Sequence, residues 1–347
     1  MSALKSTLAI NGGKKAIPDG AIKDWPPIDE IDRRLVLESL EGTNHAFGPN
    51  CVAFEREFAE WNGNLRAITT NSGTAAMHMC VAAAGCGTGD EVIVTAYSWS
   101  SSATCILHHS CIPVFVDIDF DSMNIDARKI EAAITPRTKA IIAVHLHGLP
   151  APMDEILAIA RRHGIKVIED ACQAHGAQYK GRKVGTIGDC AAFSFNQNKS
   201  LCSGEGGMFV TNDEGMLEPA RALWSFGETR SPLEQRDYHA YALGWMYRNN
   251  DLTAAFGRAQ LTKLDRYLAV HKANAEALTE GLRQVPGLIL PFEPNGCAHN
   301  WYNYVIRFDM DVLGHAGDAR QFRDRLNQAL QAEGVQAHVW QSFILPA

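Results

Sequence analysis

Two spacings of apolar residues run through this chain, one suited to strands and one to helices. Between residues 91 and 168 they alternate. Glu91–Thr95, Ile112–Val116, Lys139–Val144 and Ile165–Ile168 are short apolar runs that read as strands. Ser98–His109, Ala127–Ile134 and Met153–His163 carry apolar residues three or four apart and read as helices. Strand followed by helix, repeated, predicts parallel pairing in a sheet covered by helices, an α/β fold. Upstream, Ile28, Ile31, Leu35 and Val36 predict a helix over 28–41, and Phe54, Phe58 and Trp61 predict a second over 54–61. Ala67-Ile68-Thr69-Thr70 leads into Ser72-Gly73-Thr74, which opens a helix running to about Ala84. Downstream, the apolar stretch from Cys190 reads as a buried strand. It passes through Asn196, Gln197 and Asn198 to Lys199, then into a tight loop of Ser203, Gly204, Gly206 and Gly207. Residues 260–268 continue a helix, Ile289–Asn303 is loop-rich, and Tyr304–Phe308 is strand-like. Ala319–Gly334 reads as a helix and Val335–Phe343 as a strand.

The turn residues Gly12-Gly13 and Pro18-Asp19-Gly20 mark residues 1–25 as an N-terminal arm. A large domain over 26–260 and a smaller one over 261–347 are expected, because 347 residues are too many for one small core. Apolar residues make up 46% and charged residues 20%, as in ordinary globular proteins. A net charge of −7 with no basic run argues against nucleic acid as a partner. No run of about 20 apolar residues suggests a membrane span. The first ten residues lack a continuous apolar core, so the cytoplasm is the expected address. Nine cysteines, an odd count without Cys-x-x-Cys spacing, read as buried free thiols rather than disulfides or a metal site.

In such sheets ligands sit at the carboxyl ends of the strands. The segments there are Tyr97–Trp99, His145–Gly148, Glu169–Gly176 and Ser194–Lys199. Lys199, alone before a glycine turn, is either a solvated loop lysine or an amine aimed into a cleft for Schiff-base chemistry. Asp170 either caps a turn or offers a carboxylate to a protonated pyridine nitrogen. Ser72–Ala75 is either a plain N-cap or an anion site at a helix N-terminus. Trp99 supplies a ring that can stack. Along the chain the order is phosphate cup, stacking ring, carboxylate and lysine, which together fit pyridoxal phosphate. No Gly-x-Gly-x-x-Gly follows the early strands, which disfavours a nicotinamide dehydrogenase. His108 and His109 read as helix packing or surface residues. One of His145 and His147 is expected to face the cleft, though the pair is weak as a metal site. His175 is expected near the substrate rather than on a metal. Glu205 and Arg230 either meet substrate or form loop ion pairs.

Eight stretches carry a family resemblance: Leu8–Gly13, Phe54–Ala59, Ser72–Ala76, Gly89–Ile93, Val116–Asp119, Val144–Gly148, Glu169–Gly176 and Ser194–Gly207. With them the chain resembles, over essentially its whole length, the DegT/DnrJ/EryC1/StrS family of pyridoxal-phosphate-dependent sugar aminotransferases. The resemblance implies fold type I, with a large cofactor domain and a smaller C-terminal α+β domain. It implies that Lys199 holds the cofactor and moves the proton, Asp170 pairs with the pyridine nitrogen, and Gln173 reaches the ring hydroxyl. Trp99 occupies the stacking position. Ser72, the backbone of Gly73 and Thr74, and the Ser194 hydroxyl would hold the phosphate. It further implies a homodimer with the active site at the interface, and an amino group passed from glutamate or glutamine to a ketone of a sugar nucleotide or cyclitol.

The chain departs from that pattern in three ways. Gly244-Trp245-Met246-Tyr247-Arg248 stands where the family commonly has Gly-Tyr-Asn-Tyr-Arg, so Met246 cannot make the asparagine's contact to the partner subunit's phosphate, and Asn249 or Asn250 is a substitute to consider. Asn196-Gln197-Asn198 precedes the lysine where many nucleotide-sugar members have histidine, and the glutamine resembles members acting on cyclitol ketones and antibiotic precursors. Family members usually continue past Ala347, so a shortened small domain is expected. A dehydratase of the same fold is disfavoured, because such relatives replace the lysine with histidine. A non-catalytic protein that keeps the pocket is opposed by Lys199, Asp170 and Gln173 together, and kept open by Met246 and the early end.

Overall fold

The structure is a computed structural model and describes residues 7–228 and 239–339. Helices α1 (Glu30–Glu41) and α2 (Pro49–Asn62) precede strand β1 (Arg66–Thr70) and helix α3 (Gly73–Ala83). There follow β2 (Glu91–Thr95), α4 (Ser101–His108), β3 (Ile112–Val116), α5 (Ala127–Ile130), β4 (Thr138–Val144), α6 (Met153–His163) and β5 (Lys166–Asp170). A two-residue hairpin, β6 (Gln178–Tyr179) and β7 (Arg182–Lys183), leads to β8 (Cys190–Ser194) and β9 (Gly207–Thr211). Then come α7 (Leu217–Trp224), α8 (Asp251–Leu261), α9 (Leu264–Leu282), the short β10 (Leu288–Ile289), β11 (Cys297–Ala298) and β12 (Arg307–Phe308), and α10 (Ala319–Ala332).

Seven strands form one sheet in the order β1-β9-β8-β5-β4-β2-β3. β3, β2, β4, β5 and β8 pair in parallel, and β9 is antiparallel to both of its neighbours. Five parallel strands, β3, β2, β4, β5 and β8, therefore end on one edge of the sheet. In α3 the residues are apolar or small nearly all round, and nine of its eleven are buried, as a helix enclosed by neighbours requires. Phe54 and Phe58 of α2 meet Phe195 and Phe193 past and on β8, each pair with centroids 5.0 Å apart. Such pairs add about 0.5–1.5 kcal/mol each beyond area burial.

Several boundaries differ from those expected. Helix α4 starts at Ser101, because Ser98–Ser100 form a turn in which the Ser102 amide donates to the Trp99 carbonyl at 3.1 Å. The helix expected over 127–134 is one α turn followed by a 3₁₀ turn at Glu131–Ala133. The helix read through 260–268 is broken after Leu261. There Lys263 is buried with its ammonium 2.5 Å from Asp32, and Gln260 donates to the same carboxylate at 2.8 Å. No strand follows α10 over 335–339. Gly334, at φ 91°, ends the helix, and the Val335 amide folds back to the Leu330 carbonyl at 3.0 Å, a Schellman closure. Residues 340–343 of that expectation lie outside the described residues, as does Arg230.

The chain divides into two compact units. One comprises Ile28–Leu278 and Pro291–Val305 and holds the seven-stranded sheet. The other gathers the described residues up to Pro27, Thr279–Leu290, and the described residues from Ile306 on. In this second unit the arm is fastened to the end of α10. The Ala9 amide donates to Glu333 Oε1 at 2.7 Å, the Ala16 amide to Oε2 at 3.0 Å, and the Ile17 amide to the Glu333 carbonyl at 2.9 Å.

Candidate active site

Asp170 is the last residue of β5, paired across the sheet with Val144 and Ala192, and is 6% exposed. Its Oδ2 accepts from the Ser102 hydroxyl at 2.6 Å, and its Oδ1 from the Cys172 amide at 3.2 Å. Ser102 is held in turn by Ser98, with the two hydroxyl oxygens 2.7 Å apart. One turn on, Gln173 Oε1 accepts from the His147 amide at 2.8 Å, which joins the turn after β5 to the turn after β4. Accepting through Oε1 leaves the carboxamide nitrogen of Gln173 as a donor.

Ser194 ends β8 and is 8% exposed. Beside it lies the start of α3, where Ser72 is the N-cap and its Oγ accepts from the Ala75 amide at 3.1 Å. Gly73 and Thr74 come next, with amides that have no partner four residues back in the helix. A Cβ on Gly73 would sit 2.6 Å from Ser194 Cβ and 3.1 Å from Cys172 Sγ. On the other side, a Cβ on Gly207 would sit 2.5 Å from the Ser72 carbonyl oxygen. Only glycines let β8, β9, the Asp170 turn and the head of α3 converge this closely.

Lys199 follows β8 through a turn in which its amide donates to the Asn196 carbonyl at 2.8 Å. Its Nζ lies 3.5 Å from the Tyr302 hydroxyl and 4.7 Å from the centre of that ring. His175 is fully buried, with its ring 5.4 Å from Phe193 and 6.0 Å from Phe195. Burial pushes its imidazole down to about 3, and the Lys199 charge acts the same way. The expectation that His175 stands near substrate is thus corrected: it is packed beneath the site.

The other histidines divide as their surroundings dictate. His145 is buried, donates from Nε2 to Glu169 at 2.9 Å, and accepts the Ala151 amide on Nδ1 at 3.0 Å. His147 is the one beside the site turn, and burial holds it down at about 4. Trp99 lies past β2 and its side chain is 59% exposed. Met246 is 50% exposed, and its carbonyl accepts from Asn71 Nδ2 at 3.2 Å, next to the Ser72 cup of its own chain. The two nearby asparagines differ: Asn249 is committed to its own chain, whereas Asn250 caps through its oxygen and keeps its exposed carboxamide nitrogen as a donor. Asn249 is buried and bonded to Thr69 and Thr253, at 3.0 and 2.7 Å, while Asn250 caps α8.

Ser102, Asn300 and Tyr302 escaped the sequence reading. Ser98 and Ser102 are four apart past a strand end, a spacing that puts both hydroxyls on one helical face and could have flagged Ser102. Asn300 and Tyr302 lie in irregular chain, where no periodicity points to them.

A buried carboxylate, an amine and a tight helix N-terminus thus stand on one edge of an α/β sheet, a set of groups able to hold a phosphate-bearing cofactor. The family itself follows from sequence comparison. The profile of the DegT/DnrJ/EryC1/StrS aminotransferase family matches residues 26–345, and the chain belongs to that family. It is 44% identical to GDP-perosamine synthase of Caulobacter vibrioides over 71% of this chain and 66% of that one. It is 37% identical, over 96% of this chain and 80% of the other, to a Streptoalloteichus tenebrarius protein whose name assigns it provisionally as an L-glutamine:3-amino-2,3-dideoxy-scyllo-inosose aminotransferase. The solved aminotransferase of Psychrobacter cryohalolentis superposes with a TM-score of 0.82 at 33% identity, covering 90% of this chain and 82% of that one. The protein is a sugar or cyclitol aminotransferase of fold type I, and its cofactor is pyridoxal phosphate. Among the described residues no helix is long and apolar enough to cross a membrane.

Proposed function

We propose that this chain transfers an amino group from glutamate or glutamine to a ketone on a nucleotide-linked sugar or a cyclitol, with Lys199 and Asp170 as its catalytic residues. The observation that carries the reading is the convergence of Asp170, Gln173, Ser194 and the Gly73 end of α3 on the sheet edge from which Lys199 emerges. The cradle fits the cofactor, because Gly73 and Gly207, having no Cβ to keep their neighbours apart, bring Ser194, Ser72 and the head of α3 close enough for two hydroxyls and the first helix amides to meet one phosphate.

Each residue then has a task its surroundings allow. The carboxylate of Asp170, oriented by the Ser102 hydroxyl and the Cys172 amide, would pair with a protonated ring nitrogen. The Gln173 carboxamide nitrogen would donate to the ring hydroxyl, since its oxygen is occupied by the His147 amide. Ser194, Ser72 and the amides of Gly73 and Thr74 would bind the phosphate. Trp99 offers a ring face open to stacking. Pyridoxal phosphate supplies an electron sink for the carbon that carries the amino group. Lys199 Nζ would take the proton from one carbon and return it to another, serving both half-reactions as base and acid.

A second copy of the chain is part of this reading. Trp99, Leu107, Tyr241, Leu243, Trp245 and Met246 are between 42% and 83% exposed. The His78 ring ties Trp245 to the end of α4, at 5.9 Å from Trp245 and 5.8 Å from His108. An apolar patch of this kind favours a protein partner, and a homodimer would cover it.

The test is the near-visible spectrum of the purified protein before and after borohydride, with peptide mapping of the reduced adduct. A band that reduction removes, with the label on Lys199, is the expected result. Lys199→Ala should fold and lose all transamination, and retained turnover in that variant would sink the mechanism. Glutamate and glutamine, each offered alone, should discharge the band at different rates and so identify the donor.

A further inference from the structure

Tyr302 reaches Lys199 from a distant segment, and the way it is held suggests a purpose. Residues 300–303 are pinned to both turns of the site. The Asn300 amide donates to the Gly148 carbonyl at 3.1 Å, and the Asn303 amide to the His147 carbonyl at 3.2 Å. Asn300 Nδ2 donates to the carbonyls of Gln173 and His175, at 3.0 and 3.2 Å, while Asn300 Oδ1 accepts the Tyr302 amide at 2.9 Å. Between them Trp301 adopts φ 58°, an uncommon conformation for a bulky residue, and stacks on His299 at 4.2 Å. The strap thus spends backbone strain to present one ring, that of Tyr302, to the lysine amine.

We propose that Tyr302 is a positioning residue that receives the Lys199 amine whenever that amine is not joined to the cofactor. The inference rests on Lys199 being the cofactor lysine. The ring face attracts the ammonium form, and the hydroxyl at 3.5 Å gives it a direction. In each half-reaction the lysine is released and must stay close to the carbon whose proton it moves. A lysine side chain has four rotatable bonds and would otherwise sample many positions. A fixed aromatic seat confines it, at the cost of slowing its first capture of free cofactor.

That trade gives opposite effects in one variant, which a merely structural residue would not produce. In Tyr302→Leu, the absorbance rise on adding pyridoxal phosphate to the cofactor-free protein at neutral pH should be faster than in the wild type by roughly threefold to tenfold. Its kcat should fall by about tenfold with KM for the amino donor unchanged. Tyr302→Phe keeps the ring and should capture cofactor at the wild-type rate. Capture in Tyr302→Leu at the wild-type rate or slower would overturn the proposal, as would a Phe variant that behaves like the Leu variant. Peptide mapping of the reduced adduct separates the two levels. Label on a residue other than Lys199 overturns the catalytic reading as well, whereas label on Lys199 with unaltered capture overturns the role of Tyr302 alone.

Discussion

Glu169 and Asp170 are adjacent acids on one strand, and the alternation of a strand sends them to opposite sides of the sheet. Asp170 ends in the site, so we expect Asp170→Asn to keep the fold and to lose about 10²–10³-fold in kcat/KM. That loss corresponds to about 3–4 kcal/mol, the lower part of what removing one partner of a buried charge pair costs. A steady-state assay with saturating cofactor checks this, and a loss under tenfold would remove Asp170 from its assigned role. Glu169 is fully buried and accepts from His145 Nε2 and from the amides of Gly185, Ile187 and Gly188. Burial alone would raise its pKa, but His145 and these amides hold the carboxyl below its usual range. Glu169→Gln turns an NH₂ group toward donors, and should cost about 2–4 kcal/mol of stability by urea denaturation. Asp170 was legible because an acid just past an apolar strand, with a lysine 29 residues on, has a chemical reading. Glu169 was not. Its partners are mostly backbone amides 16 to 19 residues away, and backbone amides leave no trace in a sequence.

Among the elements, α3 does most to make the cup, and its placement depends on one missing side chain. Gly73→Ala places a methyl 2.6 Å from Ser194 Cβ, so the helix N-terminus and β8 must separate. The expected result is a cofactor Kd at least tenfold higher, measured by equilibrium titration of the absorbance, with the fold retained; unchanged affinity would mean that the cup lies elsewhere. Strands β2 and β3 and helix α6 were readable to the residue, because each is an apolar or amphipathic run bounded by turn chemistry. The pair β1 and β9 was not assigned. Ala67-Ile68-Thr69-Thr70 is short and half polar, and Gly207-Met208-Phe209-Val210-Thr211 begins inside a glycine turn that masks a strand start. The antiparallel return of β9 is a product of that turn, with Gly204 at φ 85° and Gly206 at φ 153°, rather than of any hydrophobic period. The segment 299–303 was illegible for a related reason: its position is set by hydrogen bonds to two remote turns.

At the scale of the whole molecule the buried histidines set how stability responds to acid. Burial pushes His78, His175 and His299 down to about 3, and His147 down to about 4. In the unfolded chain each would titrate near 6.5. As pH falls below 6.5 the unfolded chain binds these protons first, so stability is lost between 6.5 and the folded-state values. Each histidine contributes up to about 1.4 kcal/mol per pH unit in that window. Glu55 acts in the other direction. Burial pushes its carboxyl up to about 8, so the stability it contributes is present below the unfolded value and is lost as pH rises toward 8. The unfolded-state histidines are half protonated at 6.5 and about a quarter protonated at 7, so four of them outweigh one glutamate up to about pH 7, and above that the glutamate prevails. Stability should therefore peak near pH 7. The check is the urea midpoint of the borohydride-reduced holoenzyme, in which cofactor loss cannot contribute, measured between pH 4.5 and 8. His78→Gln isolates one group. His78 bonds Tyr247 at 2.9 Å and His109 at 3.0 Å, so the variant starts less stable. The gap between it and the wild type should then narrow by about 1.4 kcal/mol per unit as pH falls from 6 to 4.5. A gap that stays constant over that range would show that His78 is protonated in the folded protein, and that acid sensitivity has another source.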